Sequence, residues 1–183
     1  MLRILSQAAI ALLAGVAMST AQQPGGEVHA VPSVDLNRYV GRWYEIARLP
    51  NRFQKDCARE TTAEYEKLSD TELRVVNTCT RADGSSIRAE GKGRLADKNG
   101  PTSKLKVRFA PAFLSFLPMV WGDYWVLDLA PDYSVSLVGD PKREYLWILS
   151  RTPTLDDATY QRVVDAAAAQ GFDVSKLVKT PQG

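Results

Sequence analysis

The sequence predicts an all-β protein: eight consecutive antiparallel strands followed by one helix, folded as a sandwich or closed into a barrel. Three observations carry this. Apolar and polar residues alternate with a period of two in one segment after another. The turn signals SDT, RADG, DKNGP, APD and GDPK separate these segments. Small residues, above all Gly91 and Gly93, lie on the apolar faces and favour closure, because a strongly coiled sheet needs strands that bend.

The first strand, GRWYEIAR (41–48), places Gly41, Trp43, Glu45 and Ala47 on one face. TTAEYEKL (61–68) sets Thr61, Ala63 and Tyr65 against Thr62, Glu64 and Glu66, and LRVVNTC (73–79) puts Leu73, Val75, Asn77 and Cys79 on one side. In SIRAEGKGRL (86–95) the apolar face is Ile87, Ala89, Gly91, Gly93 and Leu95, while Arg88, Glu90, Lys92 and Arg94 face water. KLKVRF (104–109) alternates Leu105, Val107 and Phe109 with Lys104, Lys106 and Arg108. YWVLDLA (124–130), SVSLVG (134–139) and EYLWILSR (144–151) complete the eight, the last with Tyr145, Trp147, Leu149 and Arg151 on one side. The helix is expected to start at a Thr154 cap with Asp157 in capping-box position. It carries an apolar stripe of Tyr160, Val163, Val164, Ala167 and Ala168 and ends at Gly171. FDVSKLVK (172–179) reads as a last short strand.

A chain of 183 residues with a formal net charge of +2 is expected to form one domain, and it has no charge field to recruit a nucleic acid. Residues 1–21 combine Arg3, an apolar run from Ile4 to Met18, and small residues at Ser19 and Ala21; they read as a cleaved signal peptide. Residues 22–33, with His29 as the only histidine, read as a flexible leader, and 34–180 as the folded domain. No cysteine follows the cleavage site to accept a lipid, so the expected product is exported to the periplasm, soluble or peripheral to the outer membrane. Cys57 and Cys79 both lie in the exported part, either as a disulfide or as two buried thiols.

Three stretches are more specific. NRYVGRWYEIARLP (37–50), LDLAPDYSVSLVG (127–139) and LWILSRTP (146–153) resemble, in order, the three motifs of the lipocalin family, and within it the bacterial group similar to apolipoprotein D. The resemblance implies an up-and-down eight-stranded barrel with the helix packed outside. It gathers Gly41, Trp43, the turn at Asp132 and Tyr133, and Arg151 at the closed end. A guanidinium over an indole there contributes about 2 kcal/mol. The same topology brings Cys57 and Cys79 together at the open end and so implies a disulfide.

In a closed barrel the interior candidates are Ala63, Tyr65, Val75, Asn77, Ala89, Leu105, Val107, Phe109, Tyr145 and Trp147, which either bind a ligand or fill a dry core; the resemblance implies pocket positions for Asn77 and Trp147, which match the apolipoprotein D pattern. An apolar connection, residues 110–122, offers Phe113, Leu114, Phe116, Leu117, Met119 and Val120 either as a lid or as a contact for membrane or lipid. Nearby, Arg52, Lys55 and Arg59 are either phosphate contacts or solvated rim charges.

The function expected on this basis is a lipid-binding carrier or storage protein of the bacterial envelope, holding a fatty acid, lysophospholipid or similar apolar ligand for membrane maintenance. An enzyme acting on a small apolar molecule in the same barrel is disfavoured. The sequence offers no catalytic set, metal-ligand spacing or cofactor motif. A protein-binding module, a homodimer included, is the third reading, with the apolar loop as its surface.

Overall fold

The computed structural model describes residues 26–183. Nine strands are present: β1 (Gly41–Arg48), β2 (Arg59–Lys67), β3 (Glu72–Thr80), β4 (Ser86–Leu95), β5 (Lys104–Arg108), β6 (Gly122–Leu129), β7 (Val135–Gly139), β8 (Leu146–Ser150) and β9 (Val178–Lys179). A one-turn helix α1 (Leu36–Tyr39) precedes β1, and α2 (Asp157–Ala169) follows β8. Each strand from β2 to β8 pairs antiparallel with the next; β8 pairs with β1, and β1 pairs with β2 over Gly41–Tyr44, closing an eight-stranded barrel. Where β2 diverges from β1, β9 takes its place beside Ala47 and Arg48.

Two apolar clusters follow from the alternation. Trp43, Tyr65, Leu73, Val75, Leu95, Leu105, Tyr124, Val126, Val138 and Leu149 fill the lower lumen, sealed from below by Leu36 and Tyr39 of α1. The second cluster lies outside the wall, where Val163 and Ala167 of α2 pack on Ile46, Ala47, Leu127, Leu137 and Ile148. On the opposite outer face, Arg74 bonds Glu66 and Glu90 while Lys92 bonds Glu72, a solvated charge ladder that contributes little.

Several expectations are corrected. Ala47 does not share the face of Trp43: a register shift between Glu45 and Ala47 turns it outward under α2. β5 ends at Arg108, whose guanidinium is buried against the carbonyls of Ala110 and Pro111, so the water-facing role expected of Arg108 does not hold. Phe109 is 43% exposed, and its ring lies 2.7 Å from where a Cβ on Gly91 would stand. Gly91 therefore makes room for a ring, and bending is not its demonstrated task.

The cap of α2 is Asp156, which accepts from the Thr159 N–H, and Ala168 is exposed. The 172–179 segment contains a 3₁₀ turn, Val174–Lys176, and only the two-residue β9 as strand. The expected signal peptide lies outside the described residues. Of the expected flexible leader the described part is docked: Val28 is buried, the His29 backbone exchanges two hydrogen bonds with the Gln170 amide, and Val31 N–H donates to Val126 O.

Candidate functional site

The closed end is built on Gly41. Its φ of +96° is open to glycine at little cost, and a Cβ there would come within 3.3 Å of the Arg151 guanidinium. Arg151 lies 3.9 Å from the centroid of the Trp43 ring and donates to the carbonyls of Arg38, Tyr39, Val40 and Arg42 at 2.8 to 3.1 Å, and to Tyr133 O at 3.4 Å. Burial pulls the guanidinium below its ordinary pKa, as expected for a cation drawn partly out of water. Asp132 accepts from the backbone and hydroxyl of Ser134, while Tyr133, at φ +64°, receives the Asp35 N–H and lies under Arg38. Trp43 itself is fully buried and donates to Tyr39 O.

Above this floor runs a chain of hydroxyls that sequence reasoning missed. Tyr65 bonds Tyr124, Tyr124 bonds Tyr39, and Tyr39 bonds Ser136, at 2.9, 2.9 and 3.0 Å. Burial raises all three phenols above their ordinary pKa, so the cluster is neutral. Tyr124 and Ser136 lie on predicted strands, but nothing local in the sequence says that their oxygens meet.

The expected ligand-binding residues divide by height. Tyr65, Val75 and Leu105 are buried in the packed lower lumen. Ala63, Asn77, Ala89, Val107 and Trp147 face inward by register yet remain partly accessible to water, unlike the packed floor. Tyr145, just before β8, stacks on Trp147 with 5.9 Å between centroids, and Phe53 stands 5.6 Å beyond it, forming an aromatic file at the mouth. Phe109 is at the mouth as well.

The loop joining β1 and β2 folds over one side of the opening. Gln54 accepts the Trp147 indole N–H at 2.9 Å and donates to Glu45. Glu45, only 2% exposed, holds Arg48 at 2.9 Å and accepts the Thr180 hydroxyl. This inward carboxylate was visible in the face pattern of the first strand, but its partners, 3 to 135 residues away, were not. A Cys57–Cys79 disulfide fastens the same loop to the end of β3, with Cα atoms 5.6 Å apart. Gln182 then closes the seam beyond β9, donating to Glu45 O and Thr61 O.

The β5–β6 connection forms two 3₁₀ turns, tied by the Trp121 indole to Ser115 O. Phe113, Phe116 and Met119 point to solvent at 74%, 76% and 85% exposure, while Leu114, Leu117 and Val120 are half-buried. Phe53, also exposed, belongs to the same rim. Arg52 stacks on Phe53, and Lys55 and Arg59 are exposed. Among the described residues no group of three His, Cys, Asp or Glu is arranged to hold a metal ion.

A barrel closed at one end, whose inward side chains above the floor stay partly accessible, is a scaffold able to hold one small ligand. The comparisons narrow this class to a family. Residues 34–182 match the family model described as a lipocalin-like domain. Temperature-induced lipocalin-1 of Arabidopsis thaliana is 45% identical over 157 residues, 85% of this chain and 83% of that protein. Outer membrane lipoprotein Blc of Escherichia coli K12 is 40% identical over 177 residues, 96% and 94% of the two chains. Insecticyanin from the tobacco hornworm Manduca sexta, at 23% identity, shares the fold with a TM-score of 0.67 over 87% of this chain and 88% of its own. The chain belongs to the lipocalin family, whose members bind small hydrophobic ligands.

Proposed function

We propose that this protein is a lipid carrier or store of the cell envelope, holding one single-chain lipid such as a fatty acid or lysophospholipid in the upper barrel. The observation that carries the reading is the split of the lumen: Ala63, Asn77, Ala89, Val107 and Trp147 point inward and are not covered, whereas everything below Tyr65 is packed. Affinity comes from burial. Ten methylenes taken out of water contribute roughly 8 kcal/mol toward the costs of association. The relatedness to an outer membrane lipoprotein and the disulfide support an exported, oxidising setting. Binding is favoured over catalysis because His29 lies exposed on the outside and Glu45, the buried carboxylate nearest the mouth, is already engaged by Arg48, Gln54 and Thr180.

The exposed Phe113, Phe116 and Met119 serve as a rim that touches a lipid surface, so that the ligand moves between membrane and barrel without crossing water. Titration with palmitoyl lysophosphatidylcholine tests the reading: saturable quenching of tryptophan emission at a one-to-one ratio is expected. Absence of saturation with this lipid and with palmitate overturns it. Co-sedimentation with phosphatidylcholine vesicles tests the rim, and Phe116→Ser should weaken it several-fold.

A further inference from the structure

The upper lumen is more polar than a purely apolar ligand requires. Among the described residues five buried side-chain polar atoms have no partner, and three of them, Arg48 Nε, Thr61 Oγ1 and Asn77 Oδ1, belong to neighbouring strands β1, β2 and β3. An unpartnered buried polar atom is costly, so such atoms are held for something. Register places Thr61 and Asn77 around one spot. Ala63 pairs with Asn77, and Asn77 pairs with Ala89. Thr61, beside the register shift between Arg59 and Thr62, and Tyr65 flank Ala63 along β2 at about 7 Å each, and both are buried. Two alanines where larger side chains would fit leave a notch, walled by a hydroxyl on each side and an amide across from it.

The hydroxyl chain supplies a donor to the same place. Tyr39, Tyr65, Tyr124 and Ser136 carry four hydroxyl hydrogens but make three hydrogen bonds among themselves. When the bonds run from Ser136 through Tyr39 and Tyr124 to Tyr65, the surplus hydrogen is that of Tyr65, two residues along β2 from Ala63.

The notch holds donors and acceptors but no free charge. Arg48 is neutralised by Glu45 at 2.9 Å, and Arg151 lies beneath the Trp43 ring with its N–H groups on backbone carbonyls. A carboxylate placed there would be buried without a countercharge, which is far more costly than burying a neutral oxygen. We propose that the notch over Ala63, walled by Thr61, Tyr65 and Asn77, is a subsite for a neutral oxygen-bearing group of the ligand: an ester, alcohol or primary amide attached to an alkyl chain. This assignment rests on the pocket reading above and adds the chemistry that pocket selects.

The experiment uses N-phenyl-1-naphthylamine as an apolar reporter and displaces it with 1-monopalmitin or with palmitate at pH 8, below their aggregation limits. Thr61→Val and Asn77→Leu should each weaken monopalmitin about tenfold, the worth of about 1.4 kcal/mol. Palmitate, with its carboxylate left in water at the mouth, should change less than threefold. Thr61→Ser, which keeps the hydroxyl, should retain native affinity for monopalmitin, and reporter binding by every variant certifies its fold. Equal losses for both ligands, or no loss for either, overturn the subsite while leaving the pocket standing. Failure of the native protein to bind reporter, monopalmitin or palmitate overturns the pocket and the subsite with it.

Discussion

Replacing Arg151 by Ala removes the tie between the closed end and the last barrel strand, and the structure sets the size of the effect. Two of the carbonyls that lose a donor, those of Arg38 and Arg42, are reached through exposed bonds, and water can replace the guanidinium there. Tyr39 O keeps the Trp43 indole N–H. Val40 O, in a part-buried bond at 3.0 Å, loses a charged donor, a cost of about 1–3 kcal/mol. Loss of the cation 3.9 Å above Trp43 adds about 2 kcal/mol, since that contact is partly desolvated.

The expected sum is about 4 kcal/mol, which for a domain of this size lowers Tm by roughly 8–16 °C. Urea unfolding followed by tryptophan emission is the assay, with the midpoint falling and the slope unchanged. Arg151→Lys keeps a charge over the indole but cannot reach both strands' carbonyls, so it should recover less than half of the loss. A loss below about 1 kcal/mol for the Ala variant, or full recovery with Lys, would refute the argument that a planar, forked cation holds this end together.

Two more outcomes follow from the same structure. The Cys57→Ser, Cys79→Ser protein gives up a cross-link spanning 22 residues and should lose about 3 kcal/mol on the chain-entropy account; identical urea midpoints for the double variant and the oxidised native protein would contradict it. Burial raises Tyr39, Tyr65 and Tyr124 above their ordinary value of 10.0, so in the unfolded chain they release protons that the folded protein keeps. Their stabilising effect is therefore complete below about pH 10 and falls above it, by up to about 4 kcal/mol per pH unit for three groups. Tyrosinate absorbance should appear for the other tyrosines first and for these three only as the native circular dichroism disappears. Ionisation of all seven tyrosines in still-folded protein would contradict this.

The strands were legible because half-buried sheets write a period of two into the chain, and β1 and β4 have the limits read from the sequence. What failed were places where a backbone irregularity resets that period. The register shift after Glu45 turns Ala47 from the lumen to the α2 interface, and the end of β5 at Arg108 lets the following segment bury a guanidinium expected to face water. Neither event has a local signature. The inward face was legible in its apolar part, as Ala63, Ala89 and Trp147 show, but its polar part depends on contacts that span the chain. Glu45 could be seen facing inward, whereas the approach of Thr180 to it depends on how the C-terminal segment returns beside β1. Likewise, Asp156 displaced Thr154 as the cap of α2 because both residue types suit the position and only the backbone decides between them.

The division of the lumen also explains how one barrel can be both stable and hollow. Inward side chains that stay partly accessible give up packing, and dense packing elsewhere offsets the loss. The offset is found in two places that never touch the ligand. One is the lower lumen, where Trp43, Tyr39, Leu105 and Val126 are at most 2% exposed. The other is the outer wall, where Val163, Ala167, Leu137 and Ile148 are completely buried between α2 and the sheet. The alternation of each strand serves both at once: in β8, Leu149 faces the lumen while Ile148 faces the helix. Helix and floor thus hold the wall from opposite sides, and the residues between Ala63 and Trp147 are released from packing duty. That release leaves Thr61 and Asn77 with unpartnered polar atoms in an otherwise apolar barrel, at a cost the rest of the fold offsets.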